Sequence, residues 1–354
     1  LRRTVKLAAV VLTGSLGIAS LAACGAKSTD STTASASGGS GLKVGMAYDV
    51  GGRGDQGFND SAAAGLDKAK TDFGIQTTEA EAKTGEADSD KQTRLENLVT
   101  AGYNPIIAVG FVYQTAVDKV AKEHPNVKFA IIDSDDPSQP SNVTSLEFTE
   151  QQSSYLAGIA AASKTKTKEV GFIGGVQSEL IKKFEAGYRA GVASVDPSIK
   201  VDVTYLTTPP DFSGFSDPAK GKEAAQGQLD KGDDVIYAAA GASGTGAIEA
   251  VAAKPGTWAI GVDTDQAKQP ALAKYKSSIL TSALKNVNTA VYAYIQSIKN
   301  NAPLTGVQRF DLKSGGVGLA TTGGFIDDLQ AKLAAASTAI TSGATTVPTA
   351  PPAG

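Results

Sequence analysis

The sequence predicts an α/β protein built as two similar Rossmann-like lobes with parallel sheets. Three observations carry that expectation. Residues 42–74 read as a strand, a glycine-rich loop and a helix, the opening of a βαβ unit. Beyond them, short apolar runs alternate with helical periodicity across brief connections, in two successive series. The runs IIAV (106–109) and FAII (129–132) are apolar throughout, as in strands covered on both faces. Right-handed βαβ connections make such a sheet parallel.

The first 24 residues stand outside that pattern. Arg2, Arg3 and Lys6 precede apolar runs at 7–12 and 18–23, too short and glycine-broken for a membrane span. They read as a signal peptide. It ends in Leu21-Ala22-Ala23-Cys24-Gly25, which resembles a bacterial lipobox, whose cysteine is lipidated and becomes the first residue of the mature protein. The alternative is an ordinary secretory peptide with an incidental cysteine. Residues 25–41, serine, threonine, alanine and glycine for the most part, have nothing to bury and read as a flexible tether.

In the first series, Val44, Met46 and Tyr48 alternate along strand 42–48. Helix 60–73 follows, with Ala62, Leu66, Ala69 and Phe73 on one face, Asn59 and Asp60 as N-caps and Gly74 closing it. A weaker strand near 75–81 leads to helix 89–101, and strand 105–109 leads to helix 113–123. Strand 128–132 ends at Asp133. Residues 134–148, with Pro137 and Pro140, read as a crossing. The second series opens with helix 150–163 and strand 168–173. Helix 177–194 repeats Leu180, Phe184, Tyr188 and Val192 at helical spacing. Strand 200–205 precedes a helix started by Asp217-Pro218, an N-cap followed by proline at the first helical position. Strand 234–239 runs into a glycine segment, 241–246, and helix 246–254; strand 257–262 ends at Asp263. Strand 279–284 and helix 286–299 can complete the first lobe, and strands near 306–320 with helix 327–342 the second. The expected division is therefore 42–146 with about 279–303, and 147–278 with about 304–342, followed by a loose tail, 343–354.

Ligands of open α/β sheets bind beyond the carboxyl ends of the strands. Those positions hold Asp49, Asp133, Gly241 with Gly244, and Asp263. A single aspartate there is as readily a cap or turn former; three on two lobes point to ligand contact. Phe58 and Phe215 stand at matching positions, each just before a helix start, and can sandwich a planar ring. Phe58 has a packing alternative, a staple on its helix, and Phe212 is a rival to Phe215. Asn59 adds an amide that can hydrogen-bond a ring's polar edge. The order of glycines in 241–246 matches neither the dinucleotide nor the Walker pattern, so they are read as admitting close backbone approach.

Composition removes several classes. A net charge of −3 with 19% charged residues offers no basic field for nucleic acid. One cysteine and one histidine speak against a disulfide framework, a cysteine metal cage and a two-histidine zinc site, and the place of that histidine at a helix end speaks against a catalytic triad. His124, before Pro125, reads as a solvated helix-end cation. Asp133, Asp135 and Asp136 lack the glycine and distal glutamate of a calcium loop. Neither a metal nor a cofactor is expected. The RGD at 53–55 belongs to the first loop.

AYDVGGRGDQGFND (47–60) resembles the N-terminal signature of the basic membrane protein family of substrate-binding lipoproteins, whose characterised members resemble purine-nucleoside receptors of ABC transporters. FSDPAKGKEAA, AAAGASGTGAIEA, WAIGVDTDQ and TSALKNV resemble family segments in the same order. The resemblance implies a type 1 periplasmic-binding-protein fold, two lobes joined by a hinge that the chain crosses three times. It implies that Phe58 and Phe215 stack on the purine, that Asp133 lies near the base, and that Asp49 and Asn59 line the pocket. Asp263 and Lys285 would take the ribose hydroxyls, a carboxylate accepting from a diol and an ammonium donating to it.

On that reading the chain is a non-enzymatic, monomeric receptor at the cell membrane, lipid-anchored on its extracytoplasmic face through Cys24. It binds a purine nucleoside and partners the permease subunits of an ABC importer. A same-fold receptor for a sugar or other small solute is the first alternative, and a surface nucleosidase the second. A sugar site would ask for more tryptophan and tyrosine than Trp258, which sits in a strand. A nucleosidase would ask for clustered carboxylates suited to calcium, or a histidine acid.

Overall fold

The computed structural model describes residues 41–352; Cys24 and the signal peptide lie outside them, as does the tether up to residue 40. The first series is β1 (Lys43–Ala47), α1 (Phe58–Phe73), β2 (Gln76–Ala80), α2 (Asp88–Thr100), β3 (Ile106–Ala108), α3 (Gln114–Glu123), β4 (Phe129–Ile132) and β5 (Val143–Phe148). The second is α4 (Glu150–Lys164), β6 (Glu169–Val176), α5 (Glu179–Val195), β7 (Lys200–Thr207), α6 (Pro218–Lys231), β8 (Val235–Ala239), α7 (Ser243–Ala252), β9 (Trp258–Asp263) and β10 (Ile279–Lys285). α8 (Val287–Lys299), β11 (Gly306–Phe310), β12 (Val317–Leu319) and α9 (Gln330–Thr341) complete the chain.

These strands form two sheets of six, in the orders β11-β5-β4-β3-β1-β2 and β12-β10-β9-β8-β6-β7. All pairings are parallel except β10 with β12. Both faces of the first sheet are covered. Val44, Met46 and Tyr48 point into a core with residues of α1 and α8, while Ala47, Ile106 and Ala108 face residues of α2 and α3. The uninterrupted apolar runs follow from that two-sided burial.

The expected lobe boundaries need redrawing. β5 belongs to the first sheet, so the first crossing falls at Thr149 and not within 134–148. β10 pairs with β9 in the second sheet, and only α8 returns to the first lobe; the second crossing is therefore at Asn286. β11 joins β5 in the first sheet, and β12 and α9 go to the second lobe. Parallel pairing across long sequence separations decides these memberships, and apolar periodicity cannot see a partner strand. The three crossings are tied together: Thr149 N–H donates to Phe310 O (3.2 Å), Asn286 N–H to Gly316 O (2.8 Å) and Leu312 N–H to Gln152 Oε1 (2.9 Å).

The tail also differs from expectation. Val347 is buried in the second lobe's core and Thr345 N–H donates to Ala339 O at 2.9 Å, so these apolar and backbone groups dock instead of trailing.

Candidate functional site

Register brings the strand ends level. Ala47 of β1, Ala108 of β3 and Ile131 of β4 lie side by side, so Asp49 and Asp133 emerge two residues later at one height. In the second sheet Asp263 lies beside Leu284, so Lys285 follows it directly, and Gly241 stands beyond β8. The two carboxyl ends face each other. Between them is a cavity lined by all eight expected residues: Asp49, Phe58, Asn59, Asp133, Phe215, Gly241, Asp263 and Lys285.

Asp133 and Asp263 adopt left-handed backbone at φ 67° and 63°. Such conformations are uncommon away from glycine and concentrate at functional sites. Burial pushes the Asp263 carboxyl up to about 7, against the lowering effect of Lys285. Burial likewise pushes Asp49 up to about 7, although Val50 N–H donates to its Oδ1 at 2.6 Å.

Lys285 is the cation of the site. Its ammonium donates to Asp133 Oδ2 at 2.5 Å and lies 3.1 Å from Glu150 Oε1. It also lies 5.0 Å from the centre of the Phe58 ring and 5.2 Å from that of Phe148. Burial alone would lower its pKa; the Asp133, Glu150 and Asp263 carboxylates outweigh burial and hold it above the ordinary lysine value. The resemblance implied Asp133 near the base and Lys285 at the sugar. The ion pair brings the two into contact across the cleft, Asp133 standing just past β4 and Lys285 at the end of β10.

The loop after β1 is organised by a residue that sequence reading passed over. Asp55 Oδ1 accepts from Gly57 N–H (2.9 Å) and Asp60 N–H (3.1 Å), and its Oδ2 from Asn59 N–H (2.8 Å) and Asn59 Nδ2 (3.1 Å). It thus fills the role expected of Asn59 and Asp60, which lie inside the first turn of α1. Asn59 instead accepts from Asp49 N–H through Oδ1 (3.1 Å), locking the loop to the strand end. The RGD triplet is spent on this scaffold, since Arg53 pairs with Glu79 (2.5 Å) and Asp67 (3.1 Å).

Phe215 rests on Gly175, where a β-carbon would fall 2.4 Å from the ring's Cδ1. Phe212 stays outside the cavity, which Phe215 lines, and packs edge-on against Phe111 of the opposite lobe at 5.9 Å. Gly241, at φ 53°, lies under the Phe215 carbonyl. Gly244 and Gly246 do not line the cavity. They fall within α7, which starts at Ser243, and a β-carbon on Gly246 would fall 1.8 Å from Pro218 O, so this glycine serves helix contact.

Leu180, Ile181 and Phe184 of α5 supply an apolar wall of the cavity; the helical spacing places Leu180 and Phe184 on a core face and says nothing of Ile181. The i, i+4 pattern is the same whether a face meets a core or a cavity. The lobes also touch across the cleft: Gln56 O accepts from Thr264 Oγ1 (2.9 Å) and Gln266 Nε2 (3.2 Å). His124 sits far from these strand ends, at the C-terminus of α3, with Nε2 2.8 Å from Glu96 Oε2. With Glu123 they make the one group of three such ligating side chains found among the described residues.

Comparison with known proteins places the chain in a family. Residues 42–350 match the Bmp family, described as ABC transporter substrate-binding protein PnrA-like, and the chain belongs to it. It is 36% identical over 356 residues to the ABC transporter nucleoside-binding protein BmpA of Lactococcus lactis subsp. cremoris (strain MG1363), covering 96% of this chain and 98% of the relative. It is 33% identical over 270 residues to basic membrane protein A of Borreliella burgdorferi, 75% of each chain. The crystal structure of ABC transporter system solute-binding proteins from Aeropyrum pernix K1 superposes with a TM-score of 0.76 at 27% identity, covering 87% of this chain and 94% of that one. The fold is thus of the periplasmic-binding-protein type, and the chain is a substrate-binding component of an ABC transporter, which acts on the extracytoplasmic side of the membrane. Among the described residues no helix is long and apolar enough to cross a membrane.

Proposed function

We propose that this Bmp-family chain captures a purine nucleoside between its lobes and delivers it to the permease of an ABC importer. The observation that carries this reading is a slot that combines two half-buried phenylalanines from opposite lobes, Phe58 and Phe215, with a lysine–carboxylate cluster. The rings stack on the two faces of the base, each contributing on the order of 1 kcal/mol. Asp49 and Asn59 line the base end. Asp263, Lys285 and Asp133 take the ribose hydroxyls, the carboxylates accepting and the ammonium donating. The name of the Lactococcus relative, a nucleoside-binding protein, supports the ligand class. Closure about the three crossing segments traps the ligand, with Gln56 O as a contact between the lobes. Cys24 carries the lipid that keeps this monomeric receptor at the outer surface of the membrane.

Calorimetric titration of residues 42–354 with purine nucleosides, free bases and monosaccharides tests the ligand. Tight nucleoside binding without consumption of the ligand is expected. Sugar binding with no nucleoside binding overturns the ligand assignment, and breakdown of the nucleoside overturns the receptor. Cys24→Ala should leave the full chain in the soluble fraction, and membrane retention of that variant would sink the anchor.

A further inference from the structure

Behind Lys285, outside the cavity lining, lies Glu150, the first residue of α4. Its side chain is fully buried, 0% exposed, and neither carboxylate oxygen has a hydrogen-bonded partner in the protein. The one cation that reaches it within ion-pair distance among the described residues is Lys285, at 3.1 Å. Burial pushes the Glu150 carboxyl up, against the lowering effect of Lys285 beside it; a carboxylate held this way is costly unless a charge compensates it. The helix does not need it there: an acidic residue in a first turn gains the same macrodipole benefit at the surface.

The placement explains its use. Lys285 and Glu150 both belong to the second lobe, at the ends that meet the crossings, whereas Asp133 belongs to the first. Should the lobes part as rigid bodies, Asp133 leaves with its own sheet. Glu150 stays with Lys285. The two carboxylates flank one ammonium, Asp133 accepting one of its N–H donors and Glu150 lying 3.1 Å away without a hydrogen bond, so donors remain for the cavity.

We propose that Glu150 is a positioning residue: it holds the Lys285 ammonium aimed at the cavity, and thereby sets the preference for ligands bearing sugar hydroxyls over free bases. This rests on the nucleoside reading given above. Glu150 touches no ligand itself. Glu150→Gln keeps the shape and removes the charge, and the fold should accept it, since a buried amide costs less than a buried carboxylate.

The test titrates the wild-type chain, Glu150→Gln and Glu150→Asp with inosine and with its free base, hypoxanthine. Glu150→Gln should weaken inosine by about tenfold or more and hypoxanthine by less than about twofold, because only the sugar end loses a charge-assisted donor. Glu150→Asp, which keeps the charge, should hold inosine to within about threefold of wild type. Equal loss of both ligands, in step with a lower melting temperature, overturns the proposal in favour of a purely structural role. A ligand-free measurement separates this from the nucleoside reading. The slowly exchanging ammonium signal assigned by its absence in Lys285→Met should broaden or vanish in Glu150→Gln at neutral pH. An unchanged signal overturns the proposal even where inosine binds, whereas absence of inosine binding by the wild type, with the signal lost in Glu150→Gln, rejects the ligand and leaves the Lys285 contact standing.

Discussion

Gly175→Ala offers a sharp probe of the stacking slot. Gly175 lies in β6 with ordinary backbone, so alanine brings no conformational strain. What it brings is a methyl 2.4 Å from Phe215 Cδ1 and 2.7 Å from Cε1, with Gly214 O at 3.1 Å behind. Carbon atoms rest at about 3.5 Å or more, so the ring must move by about 1 Å, and the open direction is the cavity. A flat base held between two rings has no such slack. Overpacking of this kind costs about 1–3 kcal/mol, here charged to binding because the ring can yield when no ligand is present. Nucleoside affinity should therefore fall between about fivefold and a hundredfold, while the melting temperature of the ligand-free protein changes by no more than about 3 °C. In Phe215→Ala the methyl meets no ring, so adding Gly175→Ala to that variant should cost little further. Calorimetry on the four proteins of this double-mutant cycle reads both quantities. Undiminished affinity in Gly175→Ala would refute the assignment of Phe215 as a wall of the slot.

Other perturbations test other parts of the site. Phe58→Ala should weaken nucleoside binding by about tenfold through loss of one stacked face, and unchanged affinity would remove it from the site. Asp55→Ala strips four hydrogen bonds from the loop and first turn of α1; it should cost about 2 kcal/mol, a fall of about 3 °C in melting temperature, and calorimetric melting unchanged from wild type would contradict its capping role. Glu147, buried on β5 with Asp133 nearby, has its carboxyl pushed up to about 7 by burial first and by that neighbour second. Its folded-state pKa lies above the unfolded one, so the folded state holds the proton more tightly and stability falls as pH rises from about 4.5 to 7. Glu147→Gln should accordingly gain up to about 3 kcal/mol over wild type at pH 8 and nearly nothing at pH 4. Melting curves that shift in parallel at both pH values would exclude that penalty.

Much of the architecture is legible without coordinates. The period of the apolar residues, the Asp217-Pro218 start of α6 and the closing Gly74 of α1 are local signals, each decided within a turn or two of chain. The ends of β1, β4 and β9 follow from them, and with the ends come Asp49, Asp133 and Asp263. Phe58 and Phe215 emerge from the same local grammar, an aromatic just ahead of a helix start at matching points of two series.

Sheet membership, loop scaffolding and the surroundings of Lys285 rest on distant partners. Nothing within 279–285 distinguishes pairing with β9 from pairing in the other sheet, since both offer a fully buried slot; the β9 register decides. Asp55 reads as part of a chance triplet until α1 folds back and aims backbone N–H groups at it. Leu180 and Phe184 look like any core stripe until the facing lobe leaves a gap beside them. Glu150 looks like an ordinary first-turn acid until α4 carries it beneath Lys285, 135 positions further along the chain. Sequence by itself determined the elements and where their ends fall, because backbone sterics and side-chain periodicity act over a few residues. Tertiary structure alone decided which ends meet, because burial and charge pairing depend on what the rest of the chain brings alongside.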